Sequence, residues 1–158
     1  IAAGLSAASL THGRLACKQV DGYTVVDDTY NANPESMKAA LETVAALKDA
    51  RRCIAVLGKM GELGESGIAA HADMGRCAAG LGYAAVVVVG AACAETEAMC
   101  AAAAAQIPAQ RVDTPAEAAE VLKALIQPGD ALLFKGSRSA GMERTMYELF
   151  PSLNPKHS

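Results

Sequence analysis

Three segments of the chain gather side chains that could do chemistry. Residues 26–34 read Val-Asp-Asp-Thr-Tyr-Asn-Ala-Asn-Pro, so two adjacent carboxylates, Asp27 and Asp28, precede Tyr30 and the amides of Asn31 and Asn33. A strand-to-helix turn whose Asx side chains cap the backbone accounts for Asn33 well and for Asp28 adequately. It accounts poorly for the crowding of Asp27, Asp28, Tyr30 and Asn31 into one loop tip. The second segment, residues 57–64, is punctuated by Gly58, Gly61 and Gly64, with Lys59 and Glu62 between them. The third, residues 135–140, reads Lys-Gly-Ser-Arg-Ser-Ala and carries Lys135, Ser137 and Arg138. A basic strand end followed by a helix cap would also explain that run. His71 falls on a helical pattern, where a packed or surface histidine is commoner than a ligand.

Several kinds of chemistry have no motif. The chain contains no G-x-x-x-x-G-K-[ST] loop to cradle phosphates, no G-x-G-x-x-G after its first strand, and no hydrolase elbow. The domain alone does not look like a complete catalyst, so no residue is assigned as catalytic within it and none as a metal ligand.

The elements that must position these segments follow from periodicity. Residues 14–20 and 23–27 are two strands around Asp21-Gly22, a two-residue hairpin signal. Asn33 as N-cap and Pro34 as first helical residue open a helix on which Met37, Ala40, Leu41, Val44 and Leu47 recur at helical spacing. Residues 53–57 are a buried strand, Ser66 is placed to cap a helix running to about Leu81, and residues 84–89 are the most β-prone run. Helices follow at residues 94–106 and from the capping box Thr114-Pro115-Ala116-Glu117 to about Ile126. A strand at residues 131–134 and a helix at 139–149 lead to a polar tail, 151–158, expected to fray. This alternation predicts an α/β fold: a mostly parallel, Rossmann-like sheet with helices on both faces and an antiparallel N-terminal hairpin strand at its edge. Such sheets bind ligands beyond the carboxyl ends of their strands, where all three segments fall.

Composition agrees with one domain over residues 1–158. Apolar residues make up 52% and charged residues 20% of the 158, which excludes disorder. A net charge of −3 argues against nucleic-acid and anionic-membrane partners, and no apolar run approaches the ~18 residues of a membrane span. Five cysteines without a C-x-x-C pair suggest reduced thiols packed as small hydrophobes in a cytoplasmic protein, not a disulfide framework or zinc site. Residues 1–10 carry no charged leader, and without an initiator Met the sequence looks cut from a longer chain.

The run Asp-Asp-Thr-Tyr-Asn-Ala-Asn-Pro-Glu-Ser-Met-Lys-Ala-Ala resembles the start of the C-terminal domain of the Mur ligases of peptidoglycan synthesis. Leu57 to Gly64, with His71 downstream, looks like that family's glycine loop, and Lys135 to Ala140 like its last-strand loop. Gly13-Arg14 resembles the arginine that opens the domain. The similarity covers nearly all of residues 13–149, and within the family it points to the ligases that add D-Ala-D-Ala to UDP-N-acetylmuramoyl-tripeptide. Lys59 departs from the pattern, which has an acidic residue there.

The resemblance implies a domain that binds the amino substrate and closes over N-terminal and central ATPase domains absent from this chain. It implies ATP and Mg²⁺ in the full-length enzyme, with neither bound by this fragment alone, and amide formation through an acyl phosphate that closure shields from water. Arg14 and Asp28 would meet the nucleotide on closure, at its phosphates and ribose hydroxyls respectively. Asn31, Asn33, Lys135, Ser137 and Arg138 would bind the dipeptide, whose carboxylate needs a cation and whose peptide bond needs directional partners. The UDP-muramoyl tripeptide would be held by the missing domains, and a monomer is expected. Two alternatives stand beside this: another Mur or folylpolyglutamate-synthase-like ligase, and a non-catalytic α/β binding module.

Overall fold

The computed structural model describes residues 15–47 and 50–157. Its first strands, β1 (Ala16–Val20) and β2 (Tyr23–Asp28), form an antiparallel hairpin. Asp21 and Gly22 both take positive φ, 52° and 88°, the type I′ geometry whose twist matches that of the flanking strands. Helix α1 (Pro34–Ala45) then crosses to β3 (Cys53–Leu57). The chain continues through α2 (Gly67–Gly80), β4 (Ala85–Val89), α3 (Ala94–Ala104), β5 (Ala109–Val112), α4 (Pro115–Leu125), β6 (Ala131–Lys135) and α5 (Met142–Leu149).

The six strands lie in the order β1-β2-β6-β3-β4-β5, all neighbours parallel except β1 and β2. Period-two alternation sends Val26, Ala55, Leu57, Val86, Val88 and Leu133 to one face, where α1, α2 and α3 cover them with Met37, Leu41, Met74 and Met99. Val25, Ile54, Val56, Val87, Leu132 and Phe134 point the other way, against Ala118 and Leu122 of α4 and Met142 and Met146 of α5. Because both faces are covered, the central strands read as unbroken apolar runs. The predicted fold class, with β1 as its antiparallel edge, is the observed one.

Last in sequence among the strands, β6 is inserted between β2 and β3. The chain leaves β2 on one side of β6 and β3 on the other, so loops diverge around the carboxyl end of β6 and open a crevice there.

Four local expectations need correction. Strand β5 is missing from the sequence reading: it has four residues, Gln110 and Arg111 among them, and its period is too short to register. Ser66 makes no side-chain cap; it ends a 3₁₀ turn, Gly64–Ser66, and its hydroxyl donates to the Leu63 carbonyl at 2.8 Å. The helix expected from residue 139 is split into a 3₁₀ turn, Arg138–Ala140, and α5, because Gly141 between them is left-handed at φ 59°. The tail does not fray through residue 157: it folds into 3₁₀ turns at Pro151–Leu153 and Pro155–His157, and Leu153 packs against the core beside Phe150.

Candidate functional site

Three loops meet beyond the carboxyl ends of β2, β6 and β3. Where β2 ends, the Asp27 carboxylate accepts from the Thr29 backbone N–H at 3.2 Å and its hydroxyl at 2.7 Å, turning the chain out of the sheet. Asn33 then caps α1: its Oδ1 accepts from Ser36 N at 2.8 Å while Ser36 Oγ accepts from Asn33 N at 3.1 Å. The structural reading of Asn33 therefore holds, though the residue also borders the crevice.

Register places Lys135 between Asp28 on one side and Leu57 on the other. Its ammonium donates to Asp28 Oδ2 at 2.7 Å and to the Asn31 carbonyl at 3.0 Å, and its side chain is 2% exposed against 14% for Asp28. The family resemblance implies a nucleotide contact for Asp28 and a place among the dipeptide-binding residues for Lys135. The structure brings the two together, because parallel pairing of β2 and β6 ends both strands at the same level. Lys135 thus has its charge engaged beneath the site, holding the β2–α1 loop.

Gly58 and Gly136 let the β3 and β6 loops approach. A Cβ on Gly136 would lie 2.6 Å from Met142 Cγ and 3.1 Å from Gly58 Cα, so no larger residue fits without moving a neighbour. The ladder continues past the strands: Gly58 N donates to Lys135 O at 2.8 Å and Ser137 N to Lys59 O at 2.9 Å. Ser137 is buried, its hydroxyl 3.2 Å from that of Ser139.

Above this floor lies a pocket of about 500 Å³, walled by Asn31 and Asn33 from the first segment, Lys59 and Glu62 from the second, and Ser137 and Arg138 from the third. Two cations reach solvent there. Arg138 is 61% exposed, 6.0 Å from the Tyr30 ring centroid and 3.7 Å from Glu143, a separation at which an exposed ion pair contributes little. Lys59 is 48% exposed and 3.7 Å from Glu95. Lost hydration works against the charge of Glu95, but the Lys59 ammonium, the Cys93 thiol and the backbone N–H of Glu95 outweigh it and leave that carboxyl below its usual pKa. Beside Arg138 a second hollow of about 320 Å³ is lined by Thr29, Tyr30 and Tyr147; burial first, then Asp27 and Glu143, push the Tyr147 phenol up. Arg14 lies outside the described residues. Among the described residues no group of three His, Cys, Asp or Glu could hold a metal ion, and no helix is long and apolar enough to cross a membrane.

Residues 13–138 match the family model described as Mur ligase, glutamate ligase domain. The chain belongs to the Mur ligase family. This Mur ligase domain is 39% identical over 146 residues to the UDP-N-acetylmuramoyl-tripeptide–D-alanyl-D-alanine ligase of Mycobacterium leprae, covering 83% of the chain and 28% of that protein. Among solved structures it is similar to the MurF ligase of Thermotoga maritima in complex with ADP, with TM-score 0.76, 28% identity, and coverage of 95% of this chain and 33% of that one. It is also similar to MurF of Acinetobacter baumannii, with TM-score 0.74, 36% identity, and coverage of 88% and 30%. The chain thus spans about a third of the length of the relatives it matches.

Two residues that line the pocket of this Mur ligase domain, Lys59 and Glu62, and one beneath it, His71, were not assigned a part from sequence. Lys59 stood out only as a departure from the family pattern. Glu62 reaches the pocket rim by a left-handed φ of 55°, which no residue type advertises. His71 is wholly buried beneath the glycine loop; its spacing from that loop was the available signal.

Proposed function

We propose that this chain is the amino-substrate-binding and closing domain of a monomeric, cytoplasmic ligase that uses ATP to join D-Ala-D-Ala to UDP-N-acetylmuramoyl-tripeptide in peptidoglycan synthesis. The observation that carries this reading is the 500 Å³ pocket at the switch point of the sheet, whose lining combines two exposed cations, Arg138 and Lys59, with one carboxylate, Glu62. That arrangement suits a small zwitterion: a carboxylate at the cations and an amine near Glu62. Arg138 is the carboxylate anchor, because its exposed pairing with Glu143 is loose enough to be exchanged for a ligand. Asn31, the amide nitrogen of Asn33, and Ser137 face the dipeptide's peptide group, while Lys135 supports them from below through Asp28 and the Asn31 carbonyl.

The sequence has no phosphate-cradling glycine loop of the G-x-x-x-x-G-K-[ST] kind, and among the described residues no group of three His, Cys, Asp or Glu could hold Mg²⁺. ATP, Mg²⁺ and the UDP-muramoyl tripeptide belong to parts of a longer protein, and ATP supplies activation of the acceptor carboxyl. Arg14, and Asp28 through its Oδ1, approach the nucleotide when the domains close. The domain's own work is to hold the attacking amine in place and exclude water.

A substrate panel on the full-length enzyme tests the reading. With UDP-N-acetylmuramoyl-tripeptide and ATP present, D-Ala-D-Ala should be consumed while L-Ala, D-Glu and diaminopimelate are not. Preference for any of the other three overturns the substrate. Steady ATP hydrolysis by the 158-residue chain alone would overturn its assignment as the closing domain.

A further inference from the structure

We propose that His71 is a positioning residue that sets the glycine loop against the pocket by accepting the Met60 amide proton. Wholly buried on α2, His71 has Nδ1 2.7 Å from the Gly67 carbonyl and Nε2 2.9 Å from Met60 N. A carbonyl only accepts and a backbone amide only donates, so the two bonds assign the proton to Nδ1 and a lone pair to Nε2. Met60 is itself buried, and its N–H has no water to turn to if the imidazole is removed.

The loop is therefore held from two sides. Gly58 and Lys59 are tied to the β6 loop through Lys135 O and Ser137 N, and Met60 is tied to α2 through His71. Lys59 and Glu62, on either side of Met60 in sequence, line the pocket. Glu62 sits in a left-handed conformation that non-glycine residues avoid, so this segment needs an external hold. Release of the Met60 bond displaces the Lys59–Glu62 wall and leaves the Arg138 wall in place. The assignment rests on the reading of this pocket as the amino-substrate site.

The test compares H71N and H71Q in the full-length ligase. An Asn amide reproduces the Nδ1 donor toward Gly67 and loses the acceptor for Met60; a Gln carbonyl reaches the Nε2 position and keeps it. Hydrogen exchange of the peptide containing Met60, which needs no substrate, should be faster than wild type in H71N and close to wild type in H71Q. The KM for D-Ala-D-Ala should rise about tenfold in H71N, with the KM for ATP nearly unchanged, and H71Q should restore it. Unchanged Met60 exchange in H71N, or equal damage by both variants to both substrates, overturns the proposal. Should H71N fail to fold, a folded H71Q with fast Met60 exchange overturns it equally. Failure of the wild type to use D-Ala-D-Ala would instead sink the functional reading, and the exchange contrast would still decide whether His71 holds the loop.

Discussion

The two ends of β6 are closed by ion pairs that serve different purposes. At the amino end Asp130, just before the strand, is fully buried and accepts from Arg52 Nε at 3.0 Å, Arg52 Nη2 at 2.7 Å and Gln127 N at 2.8 Å. The planar guanidinium also donates to the Leu125 carbonyl, tying the end of α4 to the strand that follows. At the carboxyl end Lys135 offers a point charge to Asp28 and the Asn31 carbonyl, and the loop it holds has its other side on the pocket. Both pairs brace the sheet; the second also braces a wall of the pocket. A groove of about 520 Å³ lies toward the amino ends of β4 and β5, but Ala85, Val87, Ala109 and Leu125 line it with hydrocarbon and it carries no comparable chemistry.

Asp28→Asn should have the largest effect, since it leaves the Lys135 ammonium buried without a counter-charge. Urea denaturation of the 158-residue chain should show a loss of about 3–5 kcal/mol. The full-length enzyme should lose affinity for the dipeptide as well. Adding Lys135→Met should restore most of the stability without restoring the KM; a double variant as unstable as the single one would show that the pair is not the cause.

Asp130→Asn should cost about 2–3 kcal/mol, less than its counterpart, because Arg52 is 28% exposed and can turn to water. It should leave the KM for both ATP and D-Ala-D-Ala unchanged. A clear rise in either would erase the distinction between the two ends of β6.

Arg138→Ala reverses the pattern. Its kcat/KM for the dipeptide should fall about ten- to a hundredfold, through KM, whereas stability should change by less than about 0.5 kcal/mol. If a dipeptide amidated at its carboxyl end were rejected as sharply by the variant as by wild type, Arg138 would not be the anchor, and Lys59 would be tested next.

The smallest effect separates both ends from the core between them. The Tyr83 hydroxyl donates to the Leu41 carbonyl at 2.7 Å, and Tyr83→Phe should cost about 1 kcal/mol near neutral pH. Burial raises the Tyr83 phenol far above its ordinary value of 10.0, so the folded state prefers the protonated form. Its contribution is then complete below pH 10 and is lost as the pH rises beyond it. The variant should flatten that alkaline limb in pH-dependent urea titrations, while variants at Asp28 and Asp130 should keep it.

Most of the architecture was legible because the forces that write it are local. The unbroken apolar runs of residues 53–57 and 84–89, the caps at Asn33 and Thr114, and the Asp21-Gly22 turn are all settled within a few residues, and each appears where expected. The errors were local as well: a strand too short for its period to show, and a helix interrupted by the left-handed backbone of Gly141.

Within the site, sequence determined which segments take part, since clusters such as Asp28 to Asn33 and Lys135 to Arg138 are unusual at strand ends. It did not determine which side chain serves which. Asp28 and Lys135 are 107 residues apart, and only the insertion of β6 between β2 and β3 makes them neighbours. That strand order buries Lys135 and leaves Arg138 and Lys59 at the pocket surface, although all three carry the same positive charge in the sequence. Charge and spacing are properties of the chain; access to solvent, and with it the choice between scaffold and ligand contact, arises only when distant strands pair.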